Sequence, residues 1–142
     1  MTIWLQIILL FLEIILAVLG FNHYNLRCDR DMMEQLKAFY VEVVGLQLGS
    51  RPQLASFGYW LYAGQKDVLH LSEAKPEEGR QTNMPTTFDH VAFTATDYAG
   101  TLARLEKLGV KYRLREISAA GQRQIFFSDP AGNGIELNFA EV

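Results

Sequence analysis

The chain has 142 residues, 49% of them hydrophobic, with a net charge of −3 and a single cysteine. That is the size of one domain with room for a real core. It carries no dense Lys/Arg block, so sequence-independent binding to a nucleic-acid backbone is excluded, and Cys28 alone can form neither an intrachain disulfide nor a CxxC metal site.

The chain opens on an apolar run, Ile3 to Leu19, with apolar residues on all sides. It is about the minimum length for a membrane span. Glu13 costs roughly 2.5–3.5 kcal/mol at mid-membrane. The 13 Leu, Ile, Phe and Val residues of the run offset this by roughly 4–8 kcal/mol. No Lys or Arg precedes the run, and Ala17-Val18-Leu19 lacks a small-x-small cleavage pattern, so a cleaved signal peptide fits less well. Residues 1–20 therefore read as an apolar helix and a candidate membrane anchor, with membrane contact through residues 3–19. Arg27, Arg30 and Lys37 would keep the following domain in the cytoplasm. Burial against a partner chain, or a start site misplaced upstream of the domain, are the competing readings.

Residues 21–142 read as the folded domain, in two modules, 21–75 and 86–142. Phe21 to Leu26 alternates like a strand. Asp31 followed by Glu34 suggests a capping box. Met32, Met33, Leu36, Phe39, Tyr40 and Val43 recur at helical spacing, and Gly45 stops the helix. Gln47 to Ser50 and Phe57 to Tyr62 are strands. Gly64 to Asp67 is a turn, and Val68 to Leu71 is the returning strand. Lys75 to Pro85, with Gly79 and two prolines, is the linker. The plan then repeats. Phe88 to Phe93 is a strand, and Asp97 caps a helix that ends at Gly109. Strands follow at Val110 to Leu114, Gln124 to Phe127 and, after the Asp129–Gly134 turn, Ile135 to Phe139. Two fused βαβββ modules make an α+β fold, a concave mixed sheet with helices on one face.

All three histidines and one glutamate fall in predicted strands. His23 and His90 sit in the first strand of each module, at an offset of 90 − 23 = 67; His70 and Glu136 sit in the last, at 136 − 70 = 66. The near-equal offsets make them symmetry mates. Apolar neighbours flank each one, so all four should point away from the helix-covered face. A buried carboxylate among imidazoles needs a partner. A divalent ion (Zn, Ni, Mn, Co or Fe(II)) provides one, with His23, His70, His90 and Glu136 as ligands. A hydrogen-bonded polar pocket without metal is the alternative.

The segments NHYNL, FYVEVVGLQL, GYWLYAG, VLHLSE, DHVAF, GVKYR and FFSDPAGNGIELNF resemble the vicinal oxygen chelate superfamily, which includes glyoxalases, bleomycin-resistance proteins and extradiol dioxygenases. The resemblance covers nearly all of Phe21 to Val142. It implies metal ligands at His23, His90 and Glu136. His70 takes the fourth position, where glyoxalase I usually has Glu. It also implies a homodimer with sites often shared between subunits, and a small-molecule substrate bound through paired oxygens. The stretch Arg115 to Gln124 lacks the Ser-rich loop of fosfomycin-resistance transferases. Bleomycin-binding members lack metal ligands, which this chain has.

Two enzymatic expectations follow from the resemblance. One is a lyase or isomerase with a metal-stabilised enediolate, where Glu136 or His70 is the base. The other is an extradiol-type Fe(II) dioxygenase using His23, His90 and Glu136, with His70 as acid/base. A non-catalytic small-molecule binding module is the third reading. Tyr59, Trp60 and Tyr62 are candidate pocket residues, and Arg51, Arg113, Arg115 and Arg123 are candidate anion contacts.

Overall fold

The structure is a computed structural model and describes residues 18–140. The apolar helix expected at residues 1–20 falls almost wholly outside them. Among the described residues no helix is long and apolar enough to cross a membrane.

The first half runs β1 (Tyr24–Cys28), α1 (Arg30–Phe39), β2 (Gln47–Gly49), β3 (Gly58–Ala63) and β4 (Lys66–Glu73). The second half runs β5 (His90–Thr94), α2 (Tyr98–Lys107), β6 (Arg113–Ile117), β7 (Gln122–Ser128) and β8 (Gly134–Ala140). The βαβββ plan is present in both. The hydrogen-bonded sheet is not continuous, however. There are two four-stranded sheets, ordered β1-β4-β3-β2 and β5-β8-β7-β6. Each is mixed, because β1 pairs parallel with β4 and β5 with β8, while the hairpins are antiparallel.

Several boundaries differ from the sequence expectations for local reasons. Strand β1 begins at Tyr24, so His23 lies just before it. The cap of α1 is Asp29, whose side chain accepts from the Met32 backbone N–H; Asp31 lies inside the first turn, where its charge favours the helix dipole. Residues Tyr40–Val44 form a π-helical turn before Gly45, at φ 91°, closes the helix with a left-handed residue. Asp97 caps α2 as expected, through Gly100 N–H. Asp67 belongs to β4, not to the preceding turn.

The core lies between helices and sheets. Met33, Leu36 and Tyr40 of the first helical segment pack with Leu61, Leu69, Leu71, Leu105, Ile125, Ile135 and Leu137. Strand alternation brings Leu69 and Leu71 of β4, and Ile135, Leu137 and Phe139 of β8, to this face. The halves share the core. Tyr24 packs near Phe93 and Phe39 near Phe127, and Arg104 donates to the Val43 carbonyl. At the seam the Tyr40 hydroxyl donates to buried Asp129, whose carboxylate also accepts from the Ala131 and Asn133 backbone and from the Asn133 side chain.

Cys28 sits in this core, and burial pushes its thiol up to about 11. Only the thiolate is nucleophilic. Cys28 in the folded chain should therefore resist a thiol-specific reagent at neutral pH and react only after unfolding, as a timed colorimetric titration with and without denaturant would show. Prompt reaction of the native chain would mean that Cys28 is open to solvent.

Candidate metal centre

The face of each sheet opposite the core carries the polar groups. On the first sheet the strand order places β4 between β1 and β3, and the rings follow that order. His23, just before β1, stacks on His70 of β4 at 3.6 Å between centroids. Trp60 of β3 stacks on the other face of His70 at 4.0 Å, with the planes 3° apart. His70 is thus only 8% exposed. Its Nε2 lies 2.7 Å from Asp67 Oδ2, and this hydrogen bond holds the Asp67 carboxyl below the usual range. His23 Nδ1 lies 2.6 Å from Asn22 Oδ1. Further along this face Ser72 donates to Asn25, and Arg27 pairs with Glu78 from the linker.

On the second sheet His90 Nε2 is 3.0 Å from Glu136 Oε2. Each side chain of this pair is held from behind. His90 Nδ1 meets Asp89 Oδ2 at 2.7 Å. Glu136 Oε1 accepts from Gln124 Nε2 at 2.6 Å and from Asn138 Nδ2 at 3.0 Å. Small residues make the room. Glu136 faces Ala92 across the parallel ladder, and His90 faces Gly134. A Cβ on Gly134 would lie 2.1 Å from the Asp89 carbonyl oxygen and 3.0 Å from His90 Cβ, so this glycine permits the close approach of β5 and β8. Gln124 is 7% exposed, and its Oε1 has no partner among the described residues.

The four residues singled out by spacing therefore form two pairs, His23 with His70 and His90 with Glu136. Among the described residues no three His, Cys, Asp or Glu side chains lie close enough together to hold one metal ion. In chemistry the donors fit a divalent cation: imidazoles and a carboxylate, most with an outer hydrogen-bond partner that fixes the donor atom. Of the aromatic candidates Trp60 stacks on a site residue, His70. Tyr59 packs on the core and donates to Glu34, and Tyr62 donates to the Ser50 carbonyl. Arg113 lies over the Phe126 ring, whose edge meets His90, in a groove of about 670 Å³ that also takes in Asp89, Ser128 and Gly134. Arg51 bonds Ser56, and Arg123 lies over Tyr98.

Sequence spacing did not single out Asp67, Asp89, Gln124 or Asn138. Two of them had a readable signal. Asn138 is two residues from Glu136 on the same strand face, and Asp89 is the neighbour of His90. Gln124 needs the β7–β8 register, which pairs it with Asn138. Asp67 had no signal, because three residues along a regular strand lead to the opposite face.

Paired βαβββ halves, packed through their helix sides with polar pairs on the open sheet faces, define a two-module α+β domain. Residues 20–137 match the family model Glyoxalase/Bleomycin resistance protein/Dioxygenase superfamily, and the chain belongs to that superfamily. No curated protein matches it. Solved structures share the fold. The chain is 26% identical to TnmS3, an antibiotic binding protein from Streptomyces sp. CB03234, with TM-score 0.63, covering 89% of this chain and 99% of that one. It is 22% identical to lactoylglutathione lyase from Agrobacterium tumefaciens, with TM-score 0.59, covering 87% and 95%. It is 16% identical to a mutant of the genomically encoded fosfomycin resistance protein FosX from Listeria monocytogenes, complexed with Mn(II) and 1S,2S-dihydroxypropylphosphonic acid, with TM-score 0.67, covering 89% and 95%.

Proposed function

We propose that the chain is a metal-dependent enzyme of the lyase or isomerase type, acting on a small molecule that presents paired oxygens. The observation that carries this reading is the His90–Glu136 pair, 3.0 Å apart with the remaining polar atoms of both side chains already held. His23, His90 and Glu136 would hold the ion, with His70 as a fourth ligand or as the proton-moving group. A bound divalent ion supplies Lewis acidity to a substrate carbonyl.

The chain's own residues divide the remaining work. Gln124 and Asn138 fix Glu136, which disfavours a base that must swing off the metal. His70, walled by Trp60 and His23, is better placed to take a proton from the carbon beside the carbonyl and return it to its neighbour. The open Oε1 of Gln124 would accept a substrate hydroxyl. The two half-sites lie on different sheets, which supports a homodimer in which one copy's first half completes the other copy's second half. Residues 3–19 would tether such a dimer to the cytoplasmic side of a membrane.

A second reading is an extradiol-type Fe(II) dioxygenase. Asp67 favours it, because holding His70 as a proton carrier leaves two histidines and one carboxylate for the metal.

Metal analysis of the purified chain, oxygen uptake with catechols and light scattering separate these readings. Zinc, nickel, cobalt or manganese in a dimer, without oxygen uptake, is the expected result. Iron with oxygen uptake selects the dioxygenase. A folded chain that takes up no metal is the non-catalytic binding module.

A further inference from the structure

Strands β3 and β4 pair Leu61 with Leu69 but Tyr62 with Asp67. Val68 is therefore an extra residue on β4, a β-bulge one turn of the pleat from the site. Counting back by twos from Leu71 and Leu69 would send Asp67 to the helix-covered face. The bulge reverses that parity and brings the Asp67 carboxylate to the open face, 2.7 Å from His70 Nε2. The second half has no counterpart: β7 and β8 pair in unbroken register from Gln122 with Ala140 to Ser128 with Gly134.

We infer that Asp67 is a positioning residue for His70: it holds the imidazole as the Nε2–H tautomer and so makes Nδ1 the nitrogen that offers its lone pair to the site. An ionised carboxylate can only accept, so the Nε2 that faces it carries the hydrogen. In a neutral imidazole the other nitrogen is then the acceptor. His70 Nδ1 takes no hydrogen bond from the described residues, whereas His23 and His90 each meet a neighbouring side chain through Nδ1. Trp60 and His23 stack on His70 and hold its ring in one plane, and within that plane the Asp67 bond selects the orientation. The bulge thus gives His70 an orientation opposite to that of His90, which keeps Nε2 for Glu136. A nitrogen prepared in this way serves as a ligand or as a proton acceptor, and the inference rests on the reading that this open face is the site.

The test is long-range ¹H–¹⁵N correlation of the histidine rings in the ¹⁵N-labelled full chain at pH about 8.5, where an ordinary imidazole is neutral. A spectrum of His70→Gln assigns the His70 signals. His70 is expected to favour the Nε2–H form by at least about tenfold, the scale of a hydrogen bond to a charged group. In Asp67→Asn, whose amide can also donate, the preference should fall to near parity or reverse. In Asp67→Glu it should largely return. A wild-type His70 in the Nδ1–H form overturns the inference, and so does a ratio unmoved by Asp67→Asn. Mn(II) binding by the unmutated chain is measured alongside. Its absence would defeat the metal-site reading and leave the tautomer result standing.

Discussion

Replacing His90 with alanine should cost the chain its metal. Removal of an outer partner alone weakens metal binding by roughly 10–100-fold, so loss of the donor itself should exceed about 100-fold. Titration calorimetry of the folded variant with Zn(II) or Mn(II) measures this, with circular dichroism confirming an intact fold. The fold should survive, because the His90 side chain is one-third exposed and lies outside the core. Asp89→Asn should have an intermediate effect, about tenfold, by loosening the ring through Nδ1. A folded His90→Ala chain with wild-type affinity would place the metal elsewhere and remove the basis of the proposed function.

The largest effect on stability should come from the seam. Asp129 is 5% exposed and collects four hydrogen bonds, one of them from Tyr40 in the other half. Asp129→Ala strands a buried hydroxyl and the turn's donors at once. At roughly 1–3 kcal/mol per stranded buried group, the loss should reach about 3 kcal/mol or more, out of a typical 5–15 kcal/mol for a domain. Urea unfolding should show a lower midpoint with an unchanged slope. Tyr40→Phe removes one of the same bonds, so the double variant should lose less than the sum of the singles. Strict additivity would mean that the Tyr40–Asp129 bond contributes nothing.

Much of this was readable in the chain itself. Helical spacing from Met32 to Val43, the glycines at 45 and 109 and the Asp129–Gly134 turn mark the elements because each reflects a local rule of backbone geometry. The matched offsets of His23, His70, His90 and Glu136 mark the open faces because strand alternation is periodic. What escaped was non-local or aperiodic. Asp29 outcompetes Asp31 as the cap because β1 runs on to Cys28 and the helix starts at Arg30. The sharing of the core between halves depends on contacts such as Tyr40 with Asp129, 89 positions apart. The division of the four candidates into two pairs depends on where two separate sheets lie, and spacing along one chain carries no such information.

The extra residue at Val68 has a consequence for how this site can vary. Substitution scans change what a side chain is and leave the direction of its neighbours alone. Deleting Val68 would remove the bulge itself and leave the direction of the site residues as it is. Tyr62 would still pair with Asp67, now the immediate neighbour of Leu69, and plain alternation would keep Asp67 and His70, then two places apart, on the open face. Two chains that differ by this one apolar residue could therefore hold His70 by the same nitrogen, one through a bulge and the other through plain alternation. In comparing relatives of this chain, the counterpart of Asp67 is to be sought three residues before the histidine where the strand bulges and two before it where the strand is regular.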